Sequence, residues 1–189
     1  MIKDVVAAIK MALEMMDKRY CLLSQIDYSK IAADESFRKH LSEEKYLERP
    51  FAYEFYHQIR NLMAHGDVDF GGPIIQAEVD KRYQHCFGKG KIPDFIIHVP
   101  NSRQNLAVIE FKLATNLSTF KSDLEKLIEF KTNDRLKYTH GVEVVIGNRK
   151  SLANARELVK KMSKVEGEDI VIIDFNIDLW KASCSYLKF

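Results

Sequence analysis

Two acids and a lysine are spaced in this chain as a cation site with an attendant base would be. Asp94 follows Pro93, and after fifteen intervening residues comes the triplet Glu110-Phe111-Lys112. In extended backbone, residues two apart project from the same face, so Glu110 and Lys112 share one side of a strand. Asp94, opening the preceding strand, can set its carboxylate beside that of Glu110. Adjacent carboxylates repel, and the repulsion is tolerable only with positive charge between them. Magnesium takes hard oxygen ligands and keeps several waters. Asp94, Glu110 and the main-chain carbonyl near Phe111 are therefore a sufficient set of protein ligands.

The elements that must hold these residues are legible from periodicity. Around the triplet, Ala107, Ile109, Phe111 and Leu113 alternate with Val108, Glu110 and Lys112. In the preceding stretch Phe95, Ile97 and Val99 alternate with Asp94, Ile96 and His98. Further upstream Ile75, Ala77 and Val79 alternate with Gln76, Glu78 and Asp80. Each segment has one fully apolar face, as a half-buried strand does, and the three are predicted to form an antiparallel meander. The apolar run Val142–Ile146 between Gly141 and Gly147 predicts a buried strand, and Ile170–Asp174 predicts a fifth. The tail from Trp180 to Phe189 has no assignment.

Helical spacing dominates elsewhere. Val5, Ile9, Leu13 and Met16 form one stripe, and a second helix is expected within Tyr28–Leu41. A third should start near Pro50 and stop at Gly66, with Phe51, Phe55, Ile59, Leu62 and Met63 inward and Glu54, Gln58 and Asn61 along the edge. Phe120, Leu124, Leu127 and Ile128 mark a fourth. A fifth, capped by Ser151, carries Ala155, Leu158, Val159 and Met162. The expected class is α/β, a mixed four- to five-stranded sheet covered by helices on both faces. Residues 1–49 are read as an N-terminal helical extension and residues 50–189 as the principal domain.

The 189 residues, 46% hydrophobic and 30% charged, describe an ordinary globular chain, and no apolar run reaches the roughly 20 residues a bilayer crossing needs. Cys21, Cys86 and Cys184 lie far apart with no CxxC pair. That argues against a disulfide framework and against a structural zinc site, and makes a reducing cytoplasm the expected compartment. A net charge of +2 announces no polyanion partner, but basic residues cluster at Lys81–Lys91 and Arg149–Lys164. The N-terminal stripe suits packing on the core or on a second copy in a homodimer.

The run Pro93-Asp94 … Glu110-Phe111-Lys112 resembles the signature of the PD-(D/E)XK nucleases, and the resemblance extends over roughly Pro50 to Asp174. It implies a restriction-endonuclease-like three-layer α/β/α fold with the metal site at the sheet edge. It further implies that Asp94, Glu110 and the Phe111 carbonyl bind Mg2+, for which Mn2+ can substitute, and that Lys112 positions or deprotonates the attacking water. The family often adds an acid on the helix before the first strand, and Glu54 occupies that place. It commonly has a polar residue on the following helix, where Lys121, Asp123 and Lys126 are candidates. The implied activity is metal-dependent hydrolysis of nucleic-acid phosphodiesters, with DNA expected over RNA, in restriction, repair or phage defence. A divalent cation would neutralise charge on the phosphoryl group and acidify a water. A free lysine with a pKa near ~10.4 is a poor base at neutral pH, so Lys112 is assigned to orienting that water.

The competing readings are plainer. Glu110 and Lys112 can be an incidental ion pair on a solvated face, Asp94 a turn residue and Glu54 a surface glutamate. His57 and His98 read as structural or phosphate-contacting histidines, and Glu78 and Asp80 as lower-ranked third acids. No nucleophile elbow or phosphate-binding glycine loop is present. The second function class is a nuclease-like module that binds nucleic acid or protein without turnover.

Overall fold

The computed structural model describes residues 1–21, 47–79, 91–162 and 169–187. The helix expected in Tyr28–Leu41 lies outside them, as do Asp80 and most of the basic stretch at 81–91. The described helices are α1 (Val5–Met15), α2 (Lys18–Cys21), α3 (Glu48–Ala64), α4 (Phe120–Thr132) and α5 (Arg149–Met162). The strands are β1 (Ile74–Ala77), β2 (Phe95–His98), β3 (Asn105–Leu113), β4 (His140–Gly147), β5 (Ile170–Asn176) and β6 (Lys181–Leu187).

The strands form one sheet in sequential order, β1 to β6. β1–β2–β3 is the expected antiparallel meander, and β3, β4 and β5 run parallel. Parallel neighbours need a crossover, which α4 and α5 supply. These helices cover one face of β4 and β5 and α1 and α3 cover the other, so the two strands are buried almost end to end.

The sheet has six strands, one more than the four to five expected. The addition is β6, in the tail left unassigned, which pairs antiparallel with β5. As an edge strand it turns only the small, half-buried Ala182 and Cys184 to the core, and Lys181, Ser183, Ser185 and Tyr186 are exposed. Asn176 turns the chain into it by accepting the Asp178 and Leu179 amides on its side-chain oxygen. At the other edge β1 ends at Ala77, short of the alternation expected through Asp80, because Glu78 takes a positive φ of 47°.

Two apolar clusters lie on opposite faces of the sheet. One joins α1 and α3 to Phe95, Ile109, Phe111, Val144 and Ile173; the other joins α4 and the start of α5 to Ile96, Val108, Val145 and Ile172. The first 21 residues thus pack into the same core as the remainder, with Ile9, Ala12 and Leu13 fully buried. Gly66 stops α3 as expected, adopting φ 76° while its amide reaches back to the Met63 carbonyl. Asn148, not Ser151, caps α5: its side-chain oxygen accepts the Ser151 amide at 2.9 Å. Among the described residues no helix is long and apolar enough to cross a membrane.

Candidate active site

The β2–β3 register sets Phe95 opposite Ile109, so Asp94, one residue before β2, falls opposite Glu110. The β3–β4 register sets Glu110 beside Glu143. Three acids therefore line up across three neighbouring strands on the face that α4 covers. Lys112 stands two residues along β3 on that same face. Asp94, Glu110 and Lys112 thus share one face of the sheet.

Each side chain has defined partners. Asp94 Oδ2 accepts the Phe111 main-chain amide at 2.7 Å. The same register would set Pro93 opposite Phe111, and the Asp94 carboxylate serves that amide where the β2 ladder has ended. The Phe111 ring turns to the opposite face, 5.1 Å from that of Phe55. Glu110 Oε1 accepts from Lys126 Nζ at 2.8 Å, and that ammonium lies 3.7 Å from Asp123 Oδ1. Lys112 Nζ contacts Asp123 Oδ2 at 2.8 Å, donates to Thr119 Oγ1 at 3.0 Å and lies 3.8 Å from Glu48 Oε2. Of the three candidates on α4, Lys126 and Asp123 face the site. Lys121 is exposed and paired with Glu125.

Glu54 does not join this group, contrary to expectation. Its Oε1 accepts the Asp17 amide at 3.0 Å and Gln58 Nε2 at 2.7 Å, closing the α1–α2 junction. The helix acid that reaches the site is Glu48, which also accepts the Leu113 amide at 3.3 Å. At about 100° per residue the six positions between them rotate Glu54 roughly 120° round the helix from Glu48. Glu78 is exposed, but with Glu48 and Asp94 it lines a recess of about 190 Å³ that opens at the Asp94 end. His57 contacts Asn61 and His98 contacts Gln76, so both have structural partners.

Glu143 has no counterpart in the sequence reading. It is 0% exposed, and neither carboxyl oxygen has a hydrogen-bond partner. A lone acid inside the otherwise apolar run Val142–Ile146 was the available signal, since a central parallel strand has no solvated face to put it on. Counting Asp94, Glu110, Glu143, Asp123 and Glu48 against Lys112 and Lys126, the cluster holds five carboxyls and two ammoniums. Such an excess in low dielectric is costly unless protons or a cation balance it.

The titration behaviour follows from that crowding. Burial, then the charge of Asp94, pushes Glu110 up to about 8 despite the pull of Lys126. Burial likewise raises Asp94 and Glu48, and lifts Glu143 well above the usual carboxylate range. For Lys112, burial disfavours the charged form, but the hydrogen bond to Asp123 and the field of Glu48 outweigh it. Its pKa lies above the ordinary value. Lys112 is therefore a donor that stays protonated, suited to orienting a water and unsuited to taking its proton.

Among the described residues no three His, Cys, Asp or Glu side chains converge into a ready-made metal cage. The donor set still fits a hard cation that keeps most of its waters: Asp94 and Glu110 face one another, and an ammonium already sits among Glu110 and Asp123. Protein-family models, curated proteins and solved structures contain no match to this chain.

Proposed function

We propose that this chain is a magnesium-dependent nuclease of the PD-(D/E)XK type, with a restriction-endonuclease-like domain that hydrolyses phosphodiesters of nucleic acid, DNA in preference to RNA. The observation that carries the reading is the alignment of Asp94 with Glu110 on one sheet face, with Lys112 beside them, in a cluster short of positive charge.

Asp94, Glu110 and the Phe111 carbonyl would hold Mg2+, or Mn2+ in its place. The bound ion supplies charge neutralisation at the phosphoryl oxygens and a more acidic water. Lys112, fixed by Asp123 and Thr119, points a proton-bearing ammonium at the nucleophile or the phosphate. Glu48 reaches the same end of β3 from the start of α3, taking the helix-acid role first given to Glu54. Lys126 neutralises Glu110 in the absence of a divalent ion and can turn towards a phosphate when displaced.

A second reading, a nuclease-like module without turnover, draws support from that same Lys126–Glu110 pair, since an internal ammonium can serve as the permanent counter-ion. Incubation with single- and double-stranded DNA and RNA in magnesium or manganese separates the two. Cleavage that chelator stops and Lys112→Ala removes supports the nuclease. No cleavage of any substrate by well-folded protein, together with no magnesium binding by calorimetry, leaves the module.

A further inference from the structure

A cavity of about 610 Å³ lies away from the carboxylate cluster, against β5 and β6. It is on the same sheet face, because Val145 pairs with Asp174 and Asp174 with Ser183 across adjacent strands. Its floor is Val145, Ile172 and, from α5, Val159. Asp174, 3% exposed, fixes Arg156 through an Nε–Oδ2 contact of 2.5 Å. The guanidinium is left half-exposed and extends Nη2 towards Ser183 Oγ at 3.4 Å. Lys160 stands one helical turn on, at the mouth, in an exposed pair with Glu157 that is worth little and readily exchanged.

Three features restrict the occupant. An arginine whose Nε is held by a buried carboxylate presents its outer edge as a preset fork for an oxyanion, with Lys160 as a second cation. The aliphatic floor takes a flat apolar body. Asp174 Oδ1 is buried with no donor, and buried polar atoms without partners are rare enough to require a cause. A small rotation of that carboxyl, whose terminal torsion is soft, turns Oδ1 to the cavity, where an N–H donor would satisfy it.

We infer that this cavity binds a nucleotide unit, with the phosphate on Arg156 and Lys160, the base against Val159 above the buried Val145 and Ile172, and a base N–H directed at Asp174. The volume is in the usual range for a small-ligand site. The Ser183 and Ser185 hydroxyls, on the cavity side of β6, add hydrogen bonds to phosphate or sugar oxygens. The unit can be a free nucleotide or the end of a strand, and the site stands whether or not the carboxylate cluster cleaves.

Calorimetric titration in chelator, with no divalent ion and hence no cleavage, tests this with the four nucleoside monophosphates, the matching nucleosides, inorganic phosphate and a 5′-phosphorylated trinucleotide. At least one monophosphate, or the trinucleotide, should bind with a Kd on the order of tens of micromolar. Lys160→Glu, which removes an exposed cation, and Val159→Phe, which fills the floor, should each weaken it about tenfold or more. Glu110→Ala should leave the binding as it was. Binding by the trinucleotide alone assigns the unit to a strand end, and binding by a monophosphate assigns it to a free ligand. The inference fails if nothing binds saturably. It fails if inorganic phosphate binds as tightly as every nucleotide, which is an adventitious ion only. It also fails if Glu110→Ala abolishes binding while Lys160→Glu does not, because the ligand then sits at the carboxylate cluster.

Discussion

Replacing Glu143 with methionine, a side chain of nearly the same length and shape, should make the protein more stable. Both Glu143 oxygens are buried without a partner, and such a group costs roughly 1–3 kcal/mol relative to an apolar one that fills the same space. For a chain of this size that corresponds to a rise in Tm of about 2–12 °C. The dependence on pH has a definite sign. Glu143, and Glu110 with its pKa near 8, keep their protons in the folded protein at pH values where the unfolded chain has released them. The folded state then binds more protons, so wild-type stability declines as pH rises from about 4.5 towards 8. In Glu143→Met the Glu143 part of that decline is removed. The gap between variant and wild type should therefore widen with pH. Thermal unfolding followed by circular dichroism in chelator, at pH 6 and pH 8, measures both quantities. A Glu143→Met protein less stable than wild type at both pH values would show that the carboxyl has a partner, and the account of the cluster as short of positive charge would fall.

Three further outcomes are expected. In a magnesium-dependent cleavage assay, Glu48→Ala should lose activity while Glu54→Ala keeps most of it and instead lowers the Tm, because Glu54 holds the Asp17 amide; the opposite pattern would return Glu54 to the site. Asp94→Ala and Glu110→Ala should each abolish cleavage at all magnesium concentrations, and rescue of Glu110→Ala by excess magnesium would demote it from ligand to neighbour. Nucleic-acid affinity, measured by fluorescence anisotropy, should fall steeply with salt, and reversing Lys150 and Lys161 together should flatten that slope by about two; an unchanged slope places the phosphates elsewhere.

The sequence exposed those parts of the molecule whose periodicity is local. Three strands of the meander, both crossover helices and the pairing of Asp94 with Glu110 follow from alternation and turn residues near one another in the chain. Glu143 was hidden because its importance lies in the register of β4 against β3, and register between parallel strands some thirty residues apart leaves no local mark. Glu54 and Glu48 occupy one helix, and only its rotation against the sheet decides which of them reaches Lys112. β6 left a weak mark because its inward residues, Ala182 and Cys184, are small and only half-buried at the sheet edge. The Lys126–Glu110 pair belongs to the same class: α4 offered three polar candidates, and packing alone selected two.

The tie between Trp180 and the first helix bears on how the chain acquires its structure. Trp180 Nε1 donates to the Met16 carbonyl across 164 residues, its ring lies 5.0 Å from that of Phe175, and the β6 amide of Ala182 is taken by Glu14. During synthesis α1 emerges early, yet the hairpin that covers its end emerges late. Its apolar stripe can pack on α3 soon after, but the end of the helix is covered only once the β5–β6 hairpin is made. Contacts of such separation make loop closure expensive and folding slow, and they leave a nascent helix open to other partners in the interval. The single tryptophan sits at that closure, between β5 and β6, so its fluorescence reports the docking of this hairpin on the end of α1.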